Sequence, residues 1–302
     1  RYIDRIGAWR VLRIAMAALA GTLALSALAP SVAFLVVAQF LAGLASGVAL
    51  PPIYSNAAAI AAPGRESRTI GFVLTGWTLS LVAGVSLSAL LADLVHWRAV
   101  YVAIGLVATI AFGVLMSRPH RSVPSTQAAP MPTEALKIPG VAPLLLACGA
   151  FMTAFYGIYG YLGDHLHQHL GLPLSTNGLV ALTYGVAFGV ASLLDGFLDR
   201  FGPDRIMSGG FIAIAAVYLF MAGFSGSFAG LLTLVFVWGL ANHIAFNALI
   251  QKLTMVDPAR RGTIMGLNSA VTYIAVVVGT TGFGETYASF GFAGAGVPAA
   301  VL

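Results

Sequence analysis

The sequence is divided into long stretches that contain no Asp, Glu, Lys or Arg. They are residues 14–64, 69–92, 99–117, 138–163, 170–194, 206–251, 262–284 and 286–302. A helix that crosses a bilayer needs about 20 apolar residues, so each stretch has room for one or two such helices. Backbone groups in lipid must bond within the protein, which leaves helices or closed barrels. Because the stretches are continuously apolar rather than alternating, we predict an all-α polytopic membrane protein.

The charged residues that remain predict how the chain is oriented. Only 8% of the residues are charged, against about 25% in a soluble domain. Nine helices are predicted, with a tenth that begins near residue 290, and the nine cover residues 11–29, 33–55, 69–92, 99–117, 141–162, 176–195, 206–224, 228–250 and 263–284. This threading places all but one of the 15 Lys and Arg residues on one face, with Arg98 on the other. That bias predicts a cytoplasmic face, so the net charge of +5 belongs to loops and predicts no nucleic-acid partner.

Two short polar segments occur twice in the same register. Residues 4–10 (DRIGAWR) return as residues 199–205 (DRFGPDR), an offset of 199 − 4 = 195. A Pro, an Arg and a Gly within residues 63–71 return at the same offset within residues 258–266. A long-period repeat of this kind indicates a duplicated structural unit. In a membrane protein it is typical of transporters built from two repeats around a central site.

The repeat also predicts the domain organisation. Residues 1–117 form an N-terminal bundle (helices 3–6), residues 118–138 a Pro-rich cytoplasmic linker, and residues 139–302 a C-terminal bundle (helices 7–11 and the start of 12). The second unit opens near residue 140, so its partner is expected to open about 55 residues before the first residue given, which is room for two more helices. We therefore expect a fragment of a twelve-helix protein that lacks helices 1 and 2 and part of helix 12.

These features resemble the major facilitator superfamily. Its loop signature is a Gly, three residues, Asp-Arg, any residue, Gly and then basic residues, and residues 4–10 and 199–205 fit its two places. Residues 41–47 with the following proline resemble helix 4, and residues 84–88 with the Trp-Arg turn at 97–98 resemble helix 5 of the drug and sugar efflux branch. The resemblance implies a two-bundle fold and secondary transport.

Two places depart from the efflux pattern. Gln39 stands where antiporters of this branch carry an arginine in helix 4, and Ser86 and Ser88 stand where helix 5 is expected to have Pro and Gly. Proton coupling is therefore left open.

The most polar predicted helix is 228–250. A stripe of one residue in every four runs along it, and it consists of Gly239, His243, Asn247 and Gln251, flanked by Trp238 and Asn242. Polar groups at membrane depth usually face a cavity or another helix and mark functional sites. His243 is the only titratable side chain that we expect deep in a span, and it titrates near neutral pH when unperturbed. We predict that it binds substrate or couples transport; the alternative is a neutral histidine bonded to a neighbouring helix.

An aromatic group in helix 141–162 includes Tyr156 and Tyr159. Aromatic walls with few polar groups suit apolar or amphipathic ligands, although such side chains also serve as packing. With weaker candidates of the same kind, the predicted substrate cavity comprises Gln39, Tyr156, Tyr159, Trp238, Asn242, His243, Asn247, Asn268 and Tyr273.

The duplicated loops predict a cytoplasmic gate. A carboxylate at a helix N-terminus is stabilised by about 0.3–1 kcal/mol. The repeat predicts that Asp4 faces the helix start near residue 262 and Asp199 the helix start near residue 68, unless both only anchor their loops. The gate residues are Asp4, Arg5, Gly7, Arg10, Asp199, Arg200, Gly202 and Arg205.

Three histidines follow helix 141–162. His165 and His169 share a helical face, which makes metal binding conceivable, but we expect a solvated turn here. No metal and no cofactor are predicted.

Together these features predict a secondary transporter that moves a small organic compound, by efflux of a drug-, sugar- or metabolite-like solute. We expect a monomer in the bacterial inner membrane that binds a small-molecule substrate, with protons as an open second partner. The alternative is a membrane sensor or receptor with the same fold and no transport. An enzyme is not predicted, since no Asp or Glu is expected deep in a span.

Overall fold

The computed structural model describes residues 6–62, 64–117, 131–173 and 176–302, and these residues contain helices and no strand. The helices are α1 (Ala8–Ala27), α2 (Val32–Ile60), α3 (Glu66–Leu79), α4 (Ser86–Leu94), α5 (Trp97–Ser117), α6 (Pro132–Ala135), α7 (Val141–Gln168), α8 (Thr176–Ala191), α9 (Asp195–Phe201), α10 (Pro203–Gly223), α11 (Phe228–Val256) and α12 (Arg261–Val301). The predicted all-α membrane fold is confirmed.

Eight helical segments of the described chain are long and apolar enough to cross a membrane, which differs from the predicted nine and a partial tenth. The predicted span 69–92 is interrupted by a π-helical turn at Ser80–Val85, between α3 and α4. The last two predicted helices run together as α12, which is 41 residues long. Within α12 the backbone leaves the helical conformation at Gly291 (φ 66°, ψ −166°), in a region that glycine adopts readily.

The helix boundaries repeat with the offset found in the sequence. α1 begins at residue 8 and α10 at residue 203, and 203 − 8 = 195. α3 begins at residue 66 and α12 at residue 261, and 261 − 66 = 195. The break at Gly291 corresponds to His96, between α4 and α5, since 291 − 96 = 195. By this correspondence α12 is two consecutive helices.

The two loop glycines of the repeat share one backbone conformation. Gly7 precedes α1 with φ 88° and ψ 139°, and Gly202 precedes α10 with φ 78° and ψ 149°. Both φ values lie in the region that residues with a side chain rarely adopt. The duplicated loop therefore requires glycine at this position in each copy.

The chain forms two compact units. The first contains the described residues within 1–60, 85–138 and 254–269. In it, α1 packs against α2 and α5, around Leu12, Ala15 and Ala49. Arg13 Nε donates to the carbonyl oxygen of Leu115 at 2.9 Å, which ties the start of α1 to the end of α5.

The second unit contains the described residues within 61–84, 139–253 and 270–302. Its buried side chains come mainly from α7, α8 and α11, and the largest of them is Trp238. The division into two bundles and a linker stays a prediction, with the bundles at 1–117 and 139–302 and the linker at 118–138. Most of that linker lies outside the described residues.

Candidate functional site

The polar stripe of α11 is buried in the second unit. Asn242, His243 and Asn247 are fully buried, and Gln251 is 5% exposed. A Cβ at Gly239 would lie 2.6 Å from the carbonyl oxygen of Tyr184, so only glycine allows α8 to approach this closely. The stripe therefore faces neighbouring helices.

At the middle of the stripe lies a buried carboxylate. A 3-10 turn at Ser192–Leu194 separates α8 from α9 and places Asp195, 1% exposed, at the start of α9. Its Oδ1 accepts hydrogen bonds from His243 Nε2 at 2.9 Å and from Asn247 Nδ2 at 2.7 Å. In the part of the chain that the structure describes, His243 Nδ1 is buried and has no hydrogen-bond partner.

Asp195 is the functional candidate that the sequence analysis missed. Asp195 is the last residue of the predicted span 176–195 and is buried against His243, so His243 is not the only buried titratable group of this region. The available signal was the loop signature itself, because its glycine stands four residues before the aspartate. Here Asp195 occupies that place, four residues before Asp199.

The backbone of α3 covers the Asp195 carboxylate. A Cβ at Gly71 would lie 1.6 Å from Asp195 Oδ2 and 3.1 Å from Asn247 Nδ2. Contacts as short as the first are not possible between real atoms, so any side chain at position 71 has to displace α3 or Asp195. The carboxylate is therefore enclosed by α3, α9 and α11.

Ser67, at the start of α3, makes three hydrogen bonds that we call the Ser67 network. Its backbone N–H donates to Asp199 Oδ1 at 3.0 Å, its Oγ donates to Gln251 Oε1 at 2.9 Å, and its carbonyl oxygen accepts from Asn247 Nδ2 at 3.0 Å. The first bond is the contact that the repeat predicts, a carboxylate at a free N–H of a helix N-terminus. The network ties α3 to α9 and α11.

The other predicted gate residues are placed as follows. Asp4 and Arg5 lie outside the described residues, so the contact predicted for Asp4 stays a prediction. Gly7 and Gly202 have the shared backbone conformation given above, and the side chains of Arg10, Arg200 and Arg205 are exposed. Lys252 of α11 forms an ion pair with Asp204 of α10 near the same loop.

An aromatic cluster lies beside the stripe. The ring of Phe155 stacks on Tyr159, with centroids 5.5 Å apart, and meets Trp238 at 5.0 Å and the edge of Tyr156 at 5.0 Å. Trp238 is fully buried, and its Nε1 donates to Tyr218 Oη at 3.2 Å. Tyr156 and Tyr159 are half-buried, so they keep surface that a ligand can reach.

The remaining cavity candidates are divided between the two units. Asn242 Nδ2 donates to Tyr184 Oη at 2.9 Å within the second unit, where Tyr273 is 43% exposed. Gln39 belongs to the first unit and donates to Ser26 Oγ at 2.9 Å. Asn268, 2% exposed, also belongs to the first unit. The structure thus brings Tyr156, Tyr159 and the α11 residues together within one unit.

A separate apolar cavity of about 280 Å³ lies between α7, α10 and the end of α12. Phe151, Phe211 and Tyr218 contribute to its walls. Tyr218 is the only member of the aromatic cluster described above that lines it, so this cavity is distinct from the surface left by Tyr156 and Tyr159.

The solvated turn predicted for the histidine segment holds for His167 and His169, which are exposed, with His169 in the turn after α7, but it is wrong for His165. α7 continues to Gln168, and His165 in its last turn is 6% exposed. Its Nε2 lies 2.7 Å from the carbonyl oxygen of Ser225, and its ring stacks on Phe292 at 4.9 Å. No group of three or more His, Cys, Asp or Glu residues within the described ranges is placed to hold a metal ion.

Comparison with known proteins gives consistent matches along the chain. The sequence model of the Major Facilitator Superfamily matches residues 1–297. The "uncharacterized MFS-type transporter YwfA" of Bacillus subtilis (strain 168) is 24% identical over 287 residues, which are 91% of this chain and 69% of the relative. A "probable sugar efflux transporter" of Mannheimia succiniciproducens is 24% identical over 247 residues, which are 80% of this chain and 62% of the relative.

Among solved structures, the human organic anion transporter MFSD10 (TETRAN) has the same fold. The TM-score is 0.83 at 16% sequence identity, over 99% of this chain and 76% of that one.

Proposed function

Because the chain belongs to the Major Facilitator Superfamily, we propose that it is a secondary transporter that exports a small organic compound by alternating access. The observation that carries this proposal is the Ser67 network. It joins α3, which lies in the predicted N-terminal bundle, to α9 and α11, which lie in the predicted C-terminal bundle. Contacts of this kind hold one state of an alternating-access cycle and have to break in another.

The substrate class follows from the side chains around the aromatic cluster. Tyr156 and Tyr159 offer aromatic surface and two hydroxyl groups, and Tyr273 of the same unit is exposed. A site of this composition suits an amphipathic organic molecule with few charges. The sugar efflux relative supports export rather than uptake.

For proton coupling we propose His243, because its imidazole is buried and bonded to an acid. Glutamine keeps much of its size and its hydrogen-bonding capacity but cannot titrate. His243→Gln is therefore expected to flatten the pH dependence of transport while substrate still binds. Flux into proteoliposomes at a series of pH values tests this. If the pH profile of transport is unchanged, His243 only packs against its neighbours and takes no part in coupling.

Asp199 is proposed to hold the gate. A carboxylate at a helix N-terminus contributes up to about 2 kcal/mol when partly buried, so Asp199→Asn is expected to shift the equilibrium between the two states by up to about 30-fold. Flux should fall accordingly while insertion into the membrane is unchanged. Asp204→Asn, which removes an exposed acid nearby, is the control. Undiminished flux in Asp199→Asn contradicts the gate proposal.

Asp4 is the counterpart of Asp199 in the first copy of the repeat. Asp4→Asn is therefore also predicted to lower flux without changing insertion into the membrane.

The proposed location is the bacterial plasma membrane, with residues 118–138 on the cytoplasmic side. A cysteine at Ser122 should then react with an impermeant reagent only from the cytoplasmic side of sealed vesicles, because native Cys148 is buried. Reaction from the opposite side contradicts this orientation.

Transport itself is tested with the purified full chain in proteoliposomes, using ethidium as a drug-like probe and radiolabelled glucose as a sugar probe. Movement of either probe, or of protons in response to either probe, supports the proposal. Binding of a probe without any flux favours the alternative of a sensor or receptor with a transporter fold.

A further inference from the structure

We infer that Asp195 and His243 together bind one proton inside the contact between α3, α9 and α11, and that this proton leaves when α3 separates from the other two helices. The inference rests on the proposed function, because it requires that this contact opens during the working cycle. The proton site is the pair of Asp195 and His243, beside the Ser67 network. Asp195 occupies a position that is glycine in the loop signature.

The first support is the depth of the pair. His243 is 13 residues from the end of α11 at Val256, which is about 20 Å along a helix. Its side chain is fully buried, and that of Asp195 is 1% exposed. A charge at this depth, without a counter-charge, is strongly unfavourable.

The second support is the set of groups that surround the pair. From α8, the ring of Phe188 meets His243 edge-to-face at 4.8 Å. From α3, Gly71 covers Asp195 Oδ2 and Ser67 presents a carbonyl oxygen to Asn247, which itself bonds to Asp195. None of these groups carries a charge.

No other charged side chain of the described residues forms an ion pair with Asp195. The next acid is Asp199, one turn further along α9 and bonded to the Ser67 N–H. No Lys or Arg in the described part of the chain forms an ion pair with Asp195. Among the described residues, His243 is therefore the one basic side chain paired with this carboxylate.

The proton count follows from the hydrogen bonds. Because an ionised carboxylate only accepts, His243 Nε2 carries a hydrogen and donates it to Asp195 Oδ1. With no further proton the pair is an imidazole and a carboxylate, with a net charge of −1. One more proton, on His243 Nδ1 or on the carboxylate, makes the pair neutral, and it belongs to the pair rather than to either residue. Burial therefore favours the protonated pair.

The covering helix connects this proton to the conformational change. α3 lies directly over Asp195 Oδ2, so close at Gly71 that an added Cβ would lie 1.6 Å from this oxygen. When α3 separates, water reaches the carboxylate and stabilises its charge, so the pair releases its proton. Low pH should therefore favour the contact between α3, α9 and α11, and high pH should favour its opening.

The test is a distance measurement on the full chain in liposomes without substrate. Spin labels on cysteines at Arg68 of α3 and Ser208 of α10, both exposed, report the separation, with Cys148 replaced by alanine. Between about pH 5 and about pH 9, the ratio of short to long distances should fall by up to about tenfold per pH unit in the parent protein, as expected for one linked proton.

The variant Asp195→Asn should remove this pH dependence, because no carboxylate is then left to be neutralised, and Asp204→Asn should retain it as the matched control. The double variant Asp195→Asn with His243→Gln, which leaves no titratable side chain at the site, should behave like Asp195→Asn. A ratio that does not change with pH in the parent, or that still falls with rising pH in a folded Asp195→Asn or double-variant protein, overturns the proton site.

The outcomes separate this inference from the proposed function. If ethidium and glucose are not moved but the distance follows pH through Asp195 and His243, the proton site stands and the export proposal fails. If transport occurs while the distance ignores pH, only the proton site fails.

Discussion

A methyl group at position 71 is expected to destabilise the protein by about 3 kcal/mol, the upper part of the usual range for overpacking. The Cβ of Gly71→Ala would lie 1.6 Å from Asp195 Oδ2 and 2.5 Å from its Cγ, so α3 has to move. Any such shift also strains the Ser67 network four residues earlier on the same helix. The midpoint of thermal unfolding in detergent micelles measures the loss.

Gly76→Ala is the matched control, because it lies on the same helix and its Cβ would meet nothing within 4 Å. In a helix interior, alanine is favoured over glycine by about 0.5–1 kcal/mol, so this variant should be slightly more stable. The double variant Gly71→Ala with Asp195→Gly removes the clashing carboxylate and should regain part of the stability. Equal effects of Gly71→Ala and Gly76→Ala contradict the close contact between α3 and Asp195.

The second large effect is expected from His243→Leu. This change leaves the Asp195 carboxylate buried without its partner, and loss of one member of a buried pair costs about 3–5 kcal/mol. Thermal unfolding in detergent micelles measures the size of the effect.

Tyr218→Phe provides the comparison for an ordinary buried hydrogen bond. It removes only the bond that Trp238 Nε1 donates at 3.2 Å, and such bonds between membrane helices average about 0.6 kcal/mol. Adding Asp195→Asn to His243→Leu removes the unpaired charge and should restore part of the stability. If His243→Leu lowers the free energy of unfolding by no more than Tyr218→Phe does, Asp195 does not depend on His243 as its partner.

The sequence by itself determined the class of fold and its internal symmetry. Hydropathy locates helices because the length of an apolar stretch is a local property of the chain. The offset of 195 reappears in the helix starts at 8 and 203 and at 66 and 261. The stripe on α11 was also predictable, since its members recur at every fourth residue.

The sequence also indicated one contact between distant segments. The repeat predicted that Asp199 meets the start of the helix near residue 68, and Ser67 makes that bond. It could do so because two copies of one loop imply two equivalent contacts. Its role as a gate stays a prediction.

Only the tertiary structure decided which groups meet inside the second unit. His243 and Asp195 are 48 positions apart, and Ser67 and Gln251 are 184 apart. Their contacts depend on the 3-10 turn that aims α9 and on a glycine that lets α3 approach. The same packing buries Trp238, which the sequence predicted at a cavity wall. It also buries His165, which the sequence predicted in a solvated turn. Pattern along the chain defines helices and their faces, but the partner of each face is chosen by the packing of segments that are far apart in sequence.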